Sequence, residues 1–165
     1  MNFLLLVLLV LAISTGYAQE AGKKSKEERK LEQQKQTKEL VDSASFLFVG
    51  NTAYPERGSQ VNISSGPNTV SFSQEMIKSN LPFYGQAKSA SAGFGGQSGY
   101  TFEGKPDEFK IDSTKKGYQL KAVVKTINDS YTLNLSISPD GGANLNVFSI
   151  NRSSMRYNGE IRKSE

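Results

Sequence analysis

The sequence contains no cysteine, no histidine and no tryptophan. Without cysteine the chain cannot form disulfides, so packing alone must hold its fold. The usual zinc sites, cysteine nucleophiles and Ser-His-Asp triads are excluded as well. Catalysis would have to rest on carboxylate, lysine, tyrosine or serine side chains. The composition therefore favours a protein that is not an enzyme and that carries no cofactor or metal.

The chain also lacks blocks of like charge. Its 20 Lys and Arg and 16 Asp and Glu give a net charge of +4, and the two signs are interspersed. A nucleic-acid-binding protein normally concentrates basic residues on one face or segment. The charge pattern therefore predicts that nucleic acid is not a partner.

No apolar run is long enough to span a bilayer comfortably. Phe3 to Ile13 is apolar, but a membrane helix needs about 20 such residues. Gly16-Tyr17-Ala18 follows, with small residues at the two positions that signal peptidase reads. We interpret residues 1–18 as a signal peptide cleaved before Gln19, with a retained membrane anchor as the alternative. The lack of a cysteine for lipidation then predicts a secreted or periplasmic protein with no transmembrane segment after cleavage.

Residues 19–43 are polar and rich in helix-forming Glu, Lys, Gln and Leu. They predict an exposed helix from about Lys26 to Asp42, with a frayed N-terminal part that serves as a tether, whose last turn docks on the domain. The apolar stripe is thin. A helix that binds a partner protein is the alternative.

From residue 44 onward the hydrophobic period changes to two, as in Tyr131, Leu133, Leu135 and Ile137. Nine or ten short strands are joined by turns that only antiparallel neighbours can use. Residues 44–165 therefore predict a single all-β domain. The expected fold is an antiparallel meander that forms a curved sheet or an up-and-down, lipocalin-like barrel, with a two-sheet sandwich as the alternative.

Two local features of this pattern give more specific expectations. Residues 69–77 predict one strand with Val70, Phe72 and Met76 on one face. Pro82 predicts an edge strand or a bulge, because proline cannot donate a ladder hydrogen bond.

The order of motifs resembles a known family. A Lys/Glu-rich helix precedes AYPERG, LPFYGQA, a Gly-rich stretch, YTFEG, GGANLNV and an Asn-Arg turn. Over about residues 26–162 this is similar to the secreted Bacteroidetes proteins called domain of unknown function 4251. The most specific pieces are residues 81–85 and Asn151-Arg152. The resemblance implies an envelope location and a compact β-rich domain, and it supplies no activity or catalytic residues.

The stretch LPFYGQAKSASAGFGGQSGYTFEG, residues 81–104, offers the best candidate site. Long loops in compact domains are often functional. The candidate ligand-binding residues are aromatic side chains that could line a barrel mouth, with two arginines as polar anchors: Phe83, Tyr84, Phe94, Tyr100, Phe102, Arg152 and Arg156. The alternative is that Phe83, Tyr100 and Phe102 are core residues of the flanking strands.

Two catalytic patterns are weaker. Gly99 to Lys105 has the spacing of a phosphate-binding loop, but Pro106 follows where a Ser or Thr is needed. Glu103, Asp107 and Glu108 could supply a carboxylate pair for glycoside hydrolysis, although a solvated turn with polar outward positions explains them better.

Three functional hypotheses follow from these features. The first is a non-enzymatic binding module for a small apolar or glycan-like ligand. The second is a domain that interacts with another envelope protein, and the third is a carboxylate-based hydrolase.

Overall fold

The computed structural model describes residues 25–88 and 99–164. Helix α1 covers residues 25–42, and the regular elements that follow it among the described residues are strands. The predicted class, antiparallel β with one N-terminal helix, is confirmed. The predicted signal peptide lies outside the described residues. The strands are β1 (Phe46–Pro55), β2 (Val61–Asn62), β3 (Thr69–Phe72), β4 (Ile77–Pro82), β5 (Gly99–Gly104), β6 (Pro106–Thr114), β7 (Gly117–Lys125), β8 (Ser130–Ile137), β9 (Gly142–Ser149) and β10 (Met155–Arg162).

Helix α1 docks on the domain by its C-terminal turns. Thr37 and Val41 are buried, whereas most of the preceding side chains are exposed. The helix ends at residue 42, and Ala44, two residues later, has a φ of 50° in the left-handed region that commonly terminates helices. Within the described part of the chain, no helix is both long enough and apolar enough to cross a membrane.

The strands form one antiparallel sheet in the order β5-β4-β3-β1-β10-β9-β8-β7-β6, with β2 pairing to β1. Strands β5 and β6 lie at opposite ends of this order, yet only Lys105 separates them in the chain. Every step between them is antiparallel and the number of steps is even, so β5 and β6 run in the same direction. They are the two halves of one bent strand.

The bent strand explains the shape of the sheet. Its first half pairs with β4 from Ile77–Gly104 to Pro82–Gly99, and its second half pairs with β7. The sheet must curl for one strand to reach both neighbours, and the result is a nearly closed barrel. The rings of Phe102 of β5 and Tyr131 of β8, which are not paired strands, stack with centroids 3.9 Å apart.

The interior of the barrel is lined by alternating side chains of the long strands, as the period-two pattern predicts, although β6 contributes only the partly buried Phe109 and Ile111. These side chains form one hydrophobic cluster with the buried turn of α1. The largest fully buried members are Tyr100, Tyr157, Phe46, Phe48 and Phe72. Burial of this surface is the main force that stabilises a fold without disulfides.

The two ends of the barrel differ. At the helix end, a Cβ on Gly141 in the β8–β9 turn would lie 3.2 Å from Thr37 Oγ1 of α1. The opposite end, which we call the mouth, carries the β7–β8 turn (residues 126–129), the β9–β10 turn (150–154) and the segment that leaves β4 (83–88).

Two local predictions were wrong. Residues 69–77 do not form one strand, because Ser73 Oγ accepts a hydrogen bond from Met76 N and donates one to Met76 O, which closes a turn between β3 and β4. Met76 is therefore exposed instead of inward-facing. Pro82 lies in neither an edge strand nor a bulge; β4 pairs on both sides, and Pro82 is its last residue.

Candidate functional site

The mouth brings together most of the residues that the sequence singled out. Phe83, Tyr84, Tyr100 and Arg152 lie there, and the Tyr100 ring is 6.0 Å from that of Tyr131, on which Phe102 stacks. Phe94 lies outside the described residues.

Arg152 stands at the centre of this cluster. Its guanidinium lies 5.3 Å from the Phe83 ring centroid and 5.8 Å from that of Tyr100. Its Nη1 also donates a hydrogen bond to the Gly99 carbonyl. The two rings meet edge to face at 5.2 Å. Arg152 therefore ties the start of β5 to the β9–β10 turn, with stacking that suits a planar cation.

Two inward-facing tyrosines anchor the mouth from inside the barrel. Tyr100 Oη donates to the Ser153 carbonyl at 2.5 Å, and Tyr157 Oη donates to the Pro82 carbonyl at 2.7 Å. Both rings are buried, and burial raises the pKa of each phenol well above its usual range because it disfavours the charged form. These hydroxyls are thus held neutral as hydrogen-bond donors.

A short segment, Gly85 to Lys88, runs along the β9–β10 turn and covers part of the mouth. Ala87 forms an antiparallel bridge with Arg152, Lys88 N donates to the Asn151 carbonyl at 2.7 Å, and Ser153 N donates to the Gln86 carbonyl at 2.9 Å. We call residues 85–88 the strap. The two most specific pieces of the family resemblance, residues 81–85 and Asn151-Arg152, therefore meet at this place.

Gly85 is required by the close approach of the strap to the turn. A Cβ at this position would lie 2.1 Å from Ser153 Oγ and 2.7 Å from the Phe83 ring. The same Ser153 Oγ accepts a hydrogen bond from Gln86 N at 2.9 Å. A side chain at residue 85 would push the strap away from its partner.

A cleft of about 350 Å³ opens beside the strap. Among the described residues that line it, Tyr84 is the aromatic one, and it is 44% exposed. The other lining residues are mostly polar: Glu56, Arg57, Gly85, Gln86, Ala87, Lys88 and Ser153. An exposed ring beside amide, hydroxyl and charged groups is chemically suited to a small polar ligand.

The remaining predicted anchor, Arg156, lies apart from the cluster. It is on the outer face of β10, where its guanidinium stacks on the Tyr54 ring at 4.7 Å from the centroid. Tyr54 and Arg156 are register partners across β1 and β10. Tyr100 and Phe102 are buried, so Tyr84 is the aromatic residue of the described cluster that offers an open face to a ligand.

The carboxylates considered for hydrolysis each face a lysine. Glu103 lies 3.5 Å from Lys78, Asp107 is 2.9 Å from Lys125, and Glu108 is 2.9 Å from Lys121. These exposed ion pairs cross neighbouring strands and stabilise little. Residues 25–88 and 99–164 contain no group of His, Cys, Asp or Glu side chains that could hold a metal ion.

Several lining residues of the cleft were missed in the sequence. Glu56 and Arg57 follow Pro55 in a stretch that is typical of a solvated turn, and Gln86 and Lys88 carry no periodic signal. Their role depends on the strap lying against Ser153, a contact between residues far apart in the chain. The family motifs AYPERG, LPFYGQA and Asn151-Arg152 include residues of this region, but nothing in the sequence indicated that they come together.

Comparison with protein families identifies the chain. The model described as domain of unknown function DUF4251 matches residues 28–161. The chain belongs to this family. A crystal structure of a DUF4251 family protein from Bacteroides eggerthii is similar, with a TM-score of 0.62 and 17% sequence identity over 79% of this chain and 87% of that one. This similarity shows a shared fold. Comparison with curated proteins gave no match.

Proposed function

We propose that this DUF4251 protein is a non-enzymatic binding module of the periplasm or the cell exterior that takes a small glycan-like ligand in the mouth cleft. The observation that carries the proposal is the exposed Tyr84 ring on the wall of a polar cleft. The cleft is framed by backbone that the strap hydrogen bonds and Arg152 hold in place.

The lining favours a glycan-like ligand over an apolar one. Sugars combine an apolar ring face with many hydroxyls, so an aromatic face beside Gln86, Ser153 and charged groups matches both parts. An apolar ligand would need a dry apolar pocket. The inward side chains of the described strands instead pack against one another as the core.

Pre-organisation supports a binding role. Backbone that is already fixed loses little entropy when a ligand binds. The strap is bonded to the β9–β10 turn on both its Gln86 and Lys88 sides. The signal-peptide pattern and the scattered charge favour a location outside the cytoplasm, and the carboxylates that pair with lysines favour binding over hydrolysis.

The test is an array of bacterial envelope oligosaccharides, followed by calorimetry with any glycan that binds. Tyr84→Ala should weaken the affinity about tenfold or more, because the stacking face is removed. Phe148→Ala is the matched control, since Phe148 is 47% exposed on the outer face of β9. Unchanged affinity in Tyr84→Ala, or no glycan bound at all, would contradict the proposal.

A second candidate is a domain that interacts with another envelope protein through α1. Leu31 is 65% exposed on the helix, and a groove of about 690 Å³ lies between α1 and the end of β10. Deleting residues 20–34, which spares the buried Thr37 and Val41, should abolish a specific partner complex. Leu31→Ser should weaken that complex, and a partner retained by both variants argues against this role.

A further inference from the structure

Two isoleucines project from the mouth of the barrel. Ile127 is fully exposed in the β7–β8 turn, and Ile150 is 70% exposed in the β9–β10 turn. We call this pair the isoleucine tips. They are separate from the Tyr84 cleft, whose lining contains neither.

The two turns are held side by side. Asp129 accepts hydrogen bonds from Ser149 Oγ at 2.6 Å and from Ile150 N at 3.1 Å. Asn151 Nδ2 donates to the Asn128 carbonyl at 2.7 Å. Since these bonds join the residues adjacent to both isoleucines, the tips stand on one rigid double turn.

Neither turn chemistry nor the core explains these residue types. Turns favour Gly, Asn, Asp, Ser and Pro, whereas a β-branched apolar side chain favours a strand. Both isoleucines point away from the hydrophobic cluster that the long strands contribute to. A single exposed apolar residue is ordinary, but two on adjoining turns at one end form a patch.

The small apolar area and the charge of the mouth favour a lipid surface as the occupant. Two exposed isoleucines offer little area, whereas a stable protein interface buries roughly 800 Å² on each partner. Basic residues lie at this end: the Lys88 backbone N bonds the Asn151 carbonyl, and Lys125, two residues before Ile127, pairs with Asp107 at 2.9 Å. Arg57 shares the cleft with Lys88. Apolar side chains with a basic surround suit an interface of anionic headgroups.

We infer that the isoleucine tips insert into an anionic lipid surface and hold the barrel with its mouth toward the membrane. The contact is peripheral and reversible, because two side chains provide limited apolar area. It does not depend on the proposed glycan site.

The test measures partition of the chain from residue 19 onto vesicles, because the apolar segment 1–18 would bind lipid by itself. Vesicles of phosphatidylglycerol mixed with phosphatidylcholine are compared with vesicles of phosphatidylcholine alone. The protein should bind the mixed vesicles more strongly, and Ile127→Ser/Ile150→Ser should lower the partition coefficient about tenfold or more. Met76→Ser is the control, because Met76 is 48% exposed in the β3–β4 turn at the helix end.

Three results would overturn the inference. The first is no binding of the unmodified chain to the mixed vesicles. The second is undiminished binding by the double variant with circular dichroism unchanged. The third is a concentration-dependent dimer that the double variant abolishes, which would assign the tips to a second copy of this chain. Tyr84→Ala should bind the vesicles normally, so failure of the glycan proposal is distinguishable.

Discussion

Tyr100 and Tyr157 show how single residues connect the core to the mouth. Each ring fills the barrel, and each hydroxyl reaches a carbonyl at the mouth. Phenylalanine would fill the same space without the hydrogen bond. The hydroxyls therefore position the Pro82 and Ser153 backbone, on which the strap and the cleft depend.

The raised pKa values of these two phenols predict a loss of stability at alkaline pH. In the unfolded chain a tyrosine loses its proton near pH ~10, whereas the folded protein keeps both protons to higher pH. Because the unfolded state then binds fewer protons, the free energy of unfolding should fall as the pH rises above about 10. Urea unfolding near pH ~8 and near pH ~11 would measure this decline.

Tyr100→Phe/Tyr157→Phe should be less stable near neutral pH by about 1 kcal/mol per lost hydrogen bond. The variant should also show a shallower alkaline decline than the unmodified protein. Tyr84→Phe, with an exposed ring, serves as the control and should keep the full decline. Equal slopes in the unmodified protein and the double variant would refute the role given to the buried hydroxyls.

Arg152 should not be replaceable by lysine. Lysine keeps the positive charge but lacks the planar group that stacks on Phe83 and Tyr100 and bonds the Gly99 carbonyl. We expect Arg152→Lys to lower the free energy of unfolding by about 1–3 kcal/mol in urea titrations. Arg156→Lys, which changes an exposed stack on Tyr54, should cost less than about 1 kcal/mol. The opposite ranking would argue against Arg152 as the anchor of the mouth.

At the scale of elements, the bent strand formed by β5 and β6 decides the architecture. Gly104 and Pro106 surround the point where pairing passes from β4 to β7. A Cβ at Gly104 would lie 2.9 Å from Val124 Cγ1, so the bend leaves little space for a side chain. The bent strand thereby closes the sheet, since its first half pairs with β4 and its second half pairs with β7.

Helix α1 should contribute stability through its last turns alone. Val41 is 4% exposed and belongs to the hydrophobic core, whereas Leu31 is 65% exposed. Val41→Asp would bury an unpaired carboxylate, and we expect it to lower the free energy of unfolding by about 3 kcal/mol or more. Leu31→Asp should change it by less than about 0.5 kcal/mol. Equal effects in denaturant titrations would show that the docking surface of the helix is misassigned.

The strands could be predicted where one face is buried and the other is wet. Within Leu120–Val124 of β7 and Tyr131–Ile137 of β8 the alternation is regular, because each inward position belongs to the core. The strand prediction failed at Met76. This apolar residue fits the period-two pattern, but it lies in a turn that the Ser73 hydroxyl closes. Helix α1 was predictable from composition, because no Gly or Pro interrupts residues 25–42.

The site could be predicted only in part, for a physical reason. Aromatic residues near the loop marked the region, but sequence alone does not separate the buried Tyr100 from the exposed Tyr84. That difference arises when Tyr100 Oη meets the Ser153 carbonyl, which is 53 residues away in the chain. The polar lining of the cleft is likewise assembled from three distant segments.

At the scale of the whole molecule, the interior, the helix end and the mouth of the barrel differ in structure. The inward face is the core, α1 covers one end, and the mouth gathers the strap, the cleft and the isoleucine tips. A packed interior and a polar mouth together favour binding at the rim over enclosure of an apolar ligand. We therefore expect the ligand to bind at the mouth and not to enter the barrel.

The most direct measurement is a two-dimensional ¹H–¹⁵N NMR titration with a glycan that binds on the array. We expect the largest changes in amide chemical shift at residues 56–57, 84–88 and 153, which line the cleft. Amides of inward-facing Leu133 and Val147 should stay unchanged, because these side chains are fully buried in the core. Shifts centred on the barrel interior or on α1, with the cleft residues unaffected, would contradict this expectation.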